Sequence, residues 1–371
     1  MKMLLAGGGT GGHLFPAVAL AQRLLELEPE SEVLFVGTRR GIEARVLPEL
    51  GLPLKTIDIS GVVGKALLGK LIMGPQLIRS LAQSLSILNR FKPDVVVGVG
   101  GYASGPVLLA ARLKGYPTLI HEQNAAPGLT NRLLGSWVDR VCTSFNEMDC
   151  GFRRSRTVLT GNPLRSGMDD CPPVPDGAPR LLVFGGSRGA RAINDAVVAM
   201  LPALARFKGQ VTIQHQTGAE DLERIREGYR AAGWESAEVV PFIDDMAGAY
   251  AHSHLVICRA GATTLAELTA CGRPAILIPY PYAAADHQSA NAQALASRGA
   301  ALMLPQVDLT PELLARLVGD LLDDRERLLG MAGAAWAMGK KGAADRILRE
   351  CRSIARCTGE LSPNLNTNEE M

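Results

Sequence analysis

Two short glycine runs, each wedged between a strand-like stretch and a helix-like one, constrain this chain more than any other feature. Residues 1–6 empty into Gly7-Gly8-Gly9-Thr10-Gly11-Gly12-His13, and a helical pattern follows from Phe15-Pro16. Residues 181–184 empty into Gly185-Gly186-Ser187-Arg188-Gly189, with a helix expected from Ala190. Glycines at a strand-to-helix turn let backbone N–H groups close on an anion, where the helix dipole favours negative charge. Two such turns heading two halves of one chain predict two nucleotide-type domains that face each other across a cleft.

At 371 residues the chain exceeds one ordinary core and suits two. Strands are expected at 1–6, 32–36, 53–59, 95–99, 117–120 and 140–143, with helices near 15–28, 41–50, 65–90, 104–114 and 128–136. In the second half strands are expected at 180–184, 211–215, 238–240, 255–258, 274–278 and 301–304. Late helices follow near 310–322 and 341–357. Regular alternation with short connections implies parallel sheets covered on both faces, an α/β architecture of two doubly wound domains. Prolines at 163, 172, 173, 175 and 179 break any regular element, so the boundary falls in 161–179 and the domains are expected at 1–160 and 161–340. Residues 358–371 are polar and are expected to form a disordered tail.

No apolar stretch approaches the ~18 residues of a spanning helix, and no signal peptide is evident. Seven cysteines without a C-x-x-C pair read as reduced, structural thiols of a cytosolic protein. Charge is uneven: residues 1–160 carry 18 Lys and Arg against 12 Asp and Glu, whereas 161–371 carry 21 against 25. The first half is therefore the better candidate for an anionic surface. Its segment from Ser60 to Lys92 holds five basic residues and no acid, with Leu68, Leu71 and Ile72 among Lys65, Lys70 and Arg79. Such a segment suits contact with an anionic membrane, or a core-facing helix with a solvated basic side.

Gly7, Gly9 and Gly12 satisfy the dinucleotide spacing G-x-G-x-x-G, but the second strand ends in Gly37-Thr38-Arg39-Arg40 with no carboxylate at its tip. An NADP site using Arg39 and Arg40 stays open on this reading. Neither loop has the G-K-[ST] of a Walker site. His13 is expected at the carboxyl end of the first strand, where an imidazole can take a proton near neutral pH. His121-Glu122-Gln123-Asn124 stands at another strand end and suits either a hydroxylated ligand or a loop-stabilising network. Arg165, in Gly161-Asn162-Pro163-Leu164-Arg165, can reach from the junction to a phosphate. In Arg259-Ala-Gly-Ala-Thr-Thr-Leu-Ala-Glu267, Gly261 and Thr263-Thr264 open a helix that offers a second anion site. Glu267 falls one turn beyond Thr263 on the same face, placed for a ribose diol. Asp286-His287-Gln288 supplies a further polar triplet. His252-x-His254 lacks a third ligand, and there is no Asp-x-Asp, so no metal is indicated.

Taken together, GGGTGGHLFPA (7–17), KPDVVVGVGGYASGP (92–106), HEQNAAPGLTNR (121–132), GNPLR (161–165), VFGGSRGA (183–190), FIDDMAGAYAHS (242–253), RAGATTLAE (259–267) and ADHQSAN (285–291) resemble the MurG family. These are the transferases that add GlcNAc from UDP-GlcNAc to lipid I to give lipid II. The match covers nearly all of residues 1–355. It implies a GT-B fold, inverting transfer, a donor held mainly by the second domain, and a last helix, 341–357, that crosses back to the first. Carried over, Ile243 meets the uracil and Glu267 the ribose, while Arg165, Ser187 and the helix start Ala262-Thr263-Thr264-Leu265 surround the diphosphate. Gln288 and Asn124 hold the GlcNAc, and Thr10-Gly11-Gly12 closes over it. His13 is the expected base, with Glu122 and Tyr102 as substitutes. The resemblance implies as partners UDP-GlcNAc, lipid I, an anionic membrane surface at 65–81 and other cell-wall synthesis proteins. It implies no cofactor, no metal and no nucleic acid, and a peripheral place on the cytoplasmic face of the inner membrane. A UDP-GlcNAc epimerase of the same fold, an NADP-linked oxidoreductase and a UDP-GlcNAc sensor are the competing readings. Arg188, where many relatives carry Gln, is a departure from the pattern.

Overall fold

The computed structural model describes residues 1–59, 73–145, 152–165, 167–186, 188–283 and 286–355. The apolar runs become strands: β1 (Lys2–Ala6), β2 (Glu32–Gly37), β3 (Leu54–Thr56), β4 (Val95–Gly98), β5 (Thr118–Glu122), β6 (Arg140–Thr143) and β7 (Thr157–Leu159). They pair in parallel in the order β3-β2-β1-β4-β5-β6-β7. Between them run α1 (Gly11–Leu27), α2 (Glu43–Glu49), α3 (Met73–Phe91), α4 (Ser104–Leu113) and α5 (Leu129–Leu134). Successive side chains of β1 go to opposite faces, as strand geometry requires. Met3 and Leu5 join Leu14, Leu20 and Leu24 of α1, whereas Leu4 and Ala6 join Leu88 of α3 and Val107 and Leu108 of α4.

The second sheet is built alike from β8 (Arg180–Phe184), β9 (Thr212–Gln216), β10 (Glu238–Val240), β11 (Leu255–Cys258), β12 (Ala275–Leu277) and β13 (Ala301–Met303), in the order β10-β9-β8-β11-β12-β13, all parallel. Its helices are α6 (Arg191–Met200), α7 (Leu222–Ala231), α8 (Met246–His252), α9 (Ala262–Ala270), α10 (His287–Ala296), α11 (Pro311–Asp323) and α12 (Arg325–Met338). Each sheet reverses its strand order once, between β1 and β4 and between β8 and β11. Crevices at such reversals are where ligands bind in open α/β sheets.

The chain then returns to where it began. Helix α13 (Ala343–Ile354) seats Ile347, Leu348 and Cys351, all fully buried, in the core of the first domain beside α1. Arg23–Asp345 (2.7 Å), Arg140–Glu350 (2.9 Å) and Arg352–Glu28 (2.7 Å) rim that contact. Leu348→Ala is expected to cost about 2–5 kcal/mol, read as a lower urea midpoint for the whole chain.

Several expectations need correction. Helix α1 begins at Gly11 rather than at Phe15-Pro16, and Pro16 lies inside it. The strand expected over 53–59 is only Leu54–Thr56. Strand β7 and helix α12 were not anticipated. β7 is a three-residue edge strand without a buried face, and exposed Leu329 and Trp336 blur the apolar stripe of α12. The expected helix over 65–90 is described only from Met73; Lys65, Leu68, Lys70, Leu71 and Ile72 lie outside the described residues, as do Ser187 and residues 358–371.

Candidate active site

The glycine loop after β1 turns on residues with positive φ, Gly7 at 145°, Gly8 at 133° and Gly9 at 85°. One of its amides is already taken by the protein's own carboxylate. Glu43, at the start of α2 and 1% exposed, accepts from the Gly9 N–H at Oε2 (2.7 Å). Its Oε1 accepts from the Thr38 N–H (2.8 Å) and the Thr38 hydroxyl (2.9 Å). Of the loop's amides, that of Gly9 is thus taken by an internal anion, while Thr10, Gly11 and Gly12 still line the cleft.

The loop also packs against the turn after β4. The Ser104 hydroxyl donates to the Ala6 carbonyl (2.6 Å) and accepts from the Gly100 N–H (3.0 Å). A Cβ on Gly100, whose φ is +93°, would stand 2.9 Å from Cδ2 and Nε2 of His13, so the imidazole lies directly on that backbone. His13 is the third residue of α1, half-buried, with Nδ1 3.0 Å from the Thr10 hydroxyl. Burial holds its pKa below the ordinary histidine value; the charge of Glu122 opposes this, His287 adds to the lowering, and Glu43 opposes it. A neutral imidazole at neutral pH is the form that can accept a proton.

The polar run at the end of β5 divides. His121 is buried, with Nε2 3.1 Å from the Gly161 carbonyl and Nδ1 3.2 Å from Gln123 Nε2, and burial brings its pKa to about 4. Glu122 is 1% exposed: Oε1 accepts from the backbone and side chain of Asn124 (2.9 and 3.2 Å), and Oε2 from Asn131 Nδ2 (2.8 Å) and the Gly128 N–H (3.1 Å). These residues form the loop-stabilising network. Asn124 reaches α10 of the other domain, where its Oδ1 accepts from Asn291 Nδ2 (3.2 Å). Asn291, fully buried on α10, also accepts from the Ala125 N–H (2.9 Å) and donates to the Ala260 carbonyl (3.1 Å). It clamps the two domains together.

Across the cleft, the first helical bond of α9 runs from the Leu265 N–H to the Gly261 carbonyl (3.0 Å). The amides of Ala262, Thr263 and Thr264 are thus the helix's free donors, at its positive end. One turn on, Glu267 is buried, with the Tyr250 hydroxyl donating to Oε2 (3.2 Å) and Arg165 Nε 3.2 Å from Oε1. That ion pair is close without being aligned as a hydrogen bond, which leaves Oε1 and Nε able to take better partners. Burial raises the Glu267 pKa, against the Arg165 charge and the Tyr250 bond. The Arg165 guanidinium lies over the Phe15 ring of the first domain, 5.0 Å from its centre.

A cavity of about 760 Å³ separates these walls. Thr10, Gly11, Gly12 and Phe15 line one side; Arg165, Ile243, Ala262, Thr263, Thr264, Glu267 and Gln288 line the other. Gln288 accepts from the Tyr280 N–H (2.9 Å). His13 and Asn124 stand outside this lining, and Leu265 packs into the core, facing a smaller cavity of about 370 Å³ behind α9. Leu265 was expected among the donor-binding residues; its amide is committed to Gly261 and its side chain to the interior. Arg259 is a lining residue to which the sequence reading gave no role. It is fixed by the carbonyls of Ile278 and Pro279 (both 3.1 Å) and by Gln306 (2.6 Å).

Comparison with known proteins agrees with this layout. The glycosyltransferase family 28 N-terminal domain matches residues 3–143, and the family's C-terminal domain matches residues 180–347. The UDP-N-acetylglucosamine--N-acetylmuramyl-(pentapeptide) pyrophosphoryl-undecaprenol N-acetylglucosamine transferase of Syntrophotalea carbinolica is 67% identical over 95% of this chain and 99% of its own. The crystal structure of Acinetobacter baumannii MurG superposes with a TM-score of 0.77 at 35% identity, covering 95% of this chain and 99% of that one. A UDP-GlcNAc 2-epimerase from Neisseria meningitidis bound to UDP-GlcNAc shares the fold alone, with a TM-score of 0.63 at 13% identity over 95% of this chain and 100% of that one. With both domains matched and a relative identical at two positions in three, the chain belongs to glycosyltransferase family 28.

Proposed function

We propose that the chain moves GlcNAc from UDP-GlcNAc to the 4-hydroxyl of the muramoyl sugar of lipid I, with inversion at the anomeric carbon, giving lipid II and UDP. One observation carries this reading. The free amides of α9 and the carboxylate of Glu267 face the Thr10–Gly12 turn across a single cleft. The helix end receives the diphosphate and Glu267 the ribose diol, releasing Arg165 to turn to the phosphates. Ile243 borders the uracil, Gln288 and Asn124 the sugar, and Thr10-Gly11-Gly12 closes from the acceptor side. The muramoyl hydroxyl attacks C1 opposite UDP and its proton passes to His13. The C1–O bond breaks, and charge on the departing UDP falls on the α9 amides and Arg165. With Nδ1–H donating to the Thr10 hydroxyl, the lone pair of Nε2 is the one that accepts.

The acceptor arrives on a lipid. Among the described residues no helix is long and apolar enough to cross a membrane. The first described turns of α3 expose Leu77 and Ile78, with Arg79 beside them paired to Asp58 at 3.1 Å. An apolar and basic edge of this kind suits peripheral docking on an anionic membrane, at its cytoplasmic face.

Product mass and UDP release, measured with UDP-GlcNAc and a short-chain lipid I analogue, test the reading. The lipid is expected to gain one N-acetylhexosamine, with UDP release dependent on acceptor. UDP-GlcNAc consumed equally without acceptor would overturn it in favour of epimerisation or hydrolysis.

A further inference from the structure

The geometry points to Glu43 as a positioning residue: an internal anion that holds the first glycine loop, just ahead of His13, in shape at the cleft. This rests on the reading of His13 as base. Glu43 does not line the cleft, yet the backbone around it is cut to its shape. A Cβ on Gly8 would stand 2.6 Å from the Glu43 carboxyl carbon, one on Gly37 2.5 Å from its Cγ, and one on Gly41 2.1 Å from Oε2. Three glycines, one in the turn after β1 and two at the end of β2 and in the turn that follows it, make room for one buried carboxylate, and three donors satisfy it at 2.7–2.9 Å.

The bond to the Gly9 N–H is the one with consequences for the cleft, because Thr10, Gly11 and Gly12 follow at once and line it. A loop of glycines has wide backbone freedom. Pinned by its own anion, it needs no ligand phosphate to order it, so the acceptor side of the cleft is formed before the donor binds. Misplacement of a catalytic segment by about 1 Å can cost about 10²-fold in rate. The charge acts on His13 together with the other groups facing that ring: Glu122 and His121 from β5 and His287 from α10. Glu43 and Glu122 favour the imidazolium, the state His13 reaches when it takes the acceptor proton.

The test uses the full-length protein with Glu43→Gln and Glu43→Asp. Glutamine keeps the size but sets an NH₂ against the Gly9 N–H or the Thr38 donors. Aspartate keeps the charge but cannot span Gly9 and Thr38 together. Both are expected to lower kcat by about 10- to 10²-fold with little change in KM for UDP-GlcNAc, since the donor sits on the other wall. The His13 titration, followed by NMR, is expected to move to lower pH in the glutamine variant and to stay near wild type in the aspartate variant. Wild-type kcat in the aspartate variant would overturn the loop-holding role, even if the glutamine variant failed to fold. An unmoved His13 titration in a folded glutamine variant would overturn the action of the Glu43 charge on His13. Should His13→Ala remain active while both Glu43 variants behave as expected, the base assignment fails and the positioning role stands.

Discussion

His13→Ala is expected to lower kcat by about 10²- to 10⁴-fold while KM for UDP-GlcNAc changes little. The asymmetry follows from position, because His13 stands in the first turn of α1, next to Thr10, Gly11 and Gly12, which line the wall opposite the free amides of α9 and Glu267. It touches no residue proposed to hold the nucleotide except through Thr10. The pH profile supplies the second half of the test. Burial dominates and holds the His13 pKa below 6.5, so the neutral, proton-accepting form persists to lower pH than for a free histidine. As pH falls through that lowered value the base is protonated and kcat/KM declines. The acid limb of wild type should therefore lie below pH 6.5 and vanish in the alanine variant's residual activity. Equal losses in turnover and donor affinity would make His13 a donor ligand instead. Glu122 is a poor substitute base, because both of its oxygens already accept two bonds each.

Glu267→Gln should act on the other wall and in the other kinetic parameter. Two ribose hydroxyls donating to a buried carboxylate are worth more than neutral hydrogen bonds, about 1.5–3 kcal/mol where a charge takes part. The affinity for UDP, measured by calorimetry, is expected to fall about 10- to 100-fold. Discrimination between UDP and 2′-deoxy-UDP gives the specific readout: wild type should prefer the ribonucleotide, and the variant should lose that preference. If Glu267 served only to hold Arg165, the preference would survive. Its pKa is raised by burial, so protonation on acidification begins at a higher pH than for an ordinary glutamate. UDP affinity should weaken correspondingly early as pH falls.

The α9 side of the cleft was legible because its information is local. Gly261, Thr263-Thr264 and Glu267 lie within seven residues, and helical periodicity alone puts them on one face. What the sequence could not reveal were relations between distant segments. Glu43 meets Gly9 across 34 positions, and no spacing rule marks a glutamate as the anion of a loop so far away. Arg165 and Glu267, read separately as phosphate and ribose ligands, face each other in this structure because the junction folds over α9. From their place at a strand end, His121 and Glu122 suited a ligand and a loop-stabilising network equally. Their partners, Gly161 and Asn131, show that the polar run braces the loop that carries Asn124. Asn291 was passed over although it lies in a matching segment, since a buried asparagine joining two domains looks in sequence like any helical polar residue.

The return of the last helix has a consequence for how the molecule is made. Synthesis delivers β1 to β7 first, but the surface of α1 and β6 that Ile347, Leu348 and Cys351 cover stays bare until α13 has left the ribosome, after the whole second domain. The second domain, whose own core draws on residues up to Met338, is complete earlier. The half that begins the chain is thus the last to close. During that interval a greasy strip of the nascent protein stands open to chaperones, or to another copy of itself.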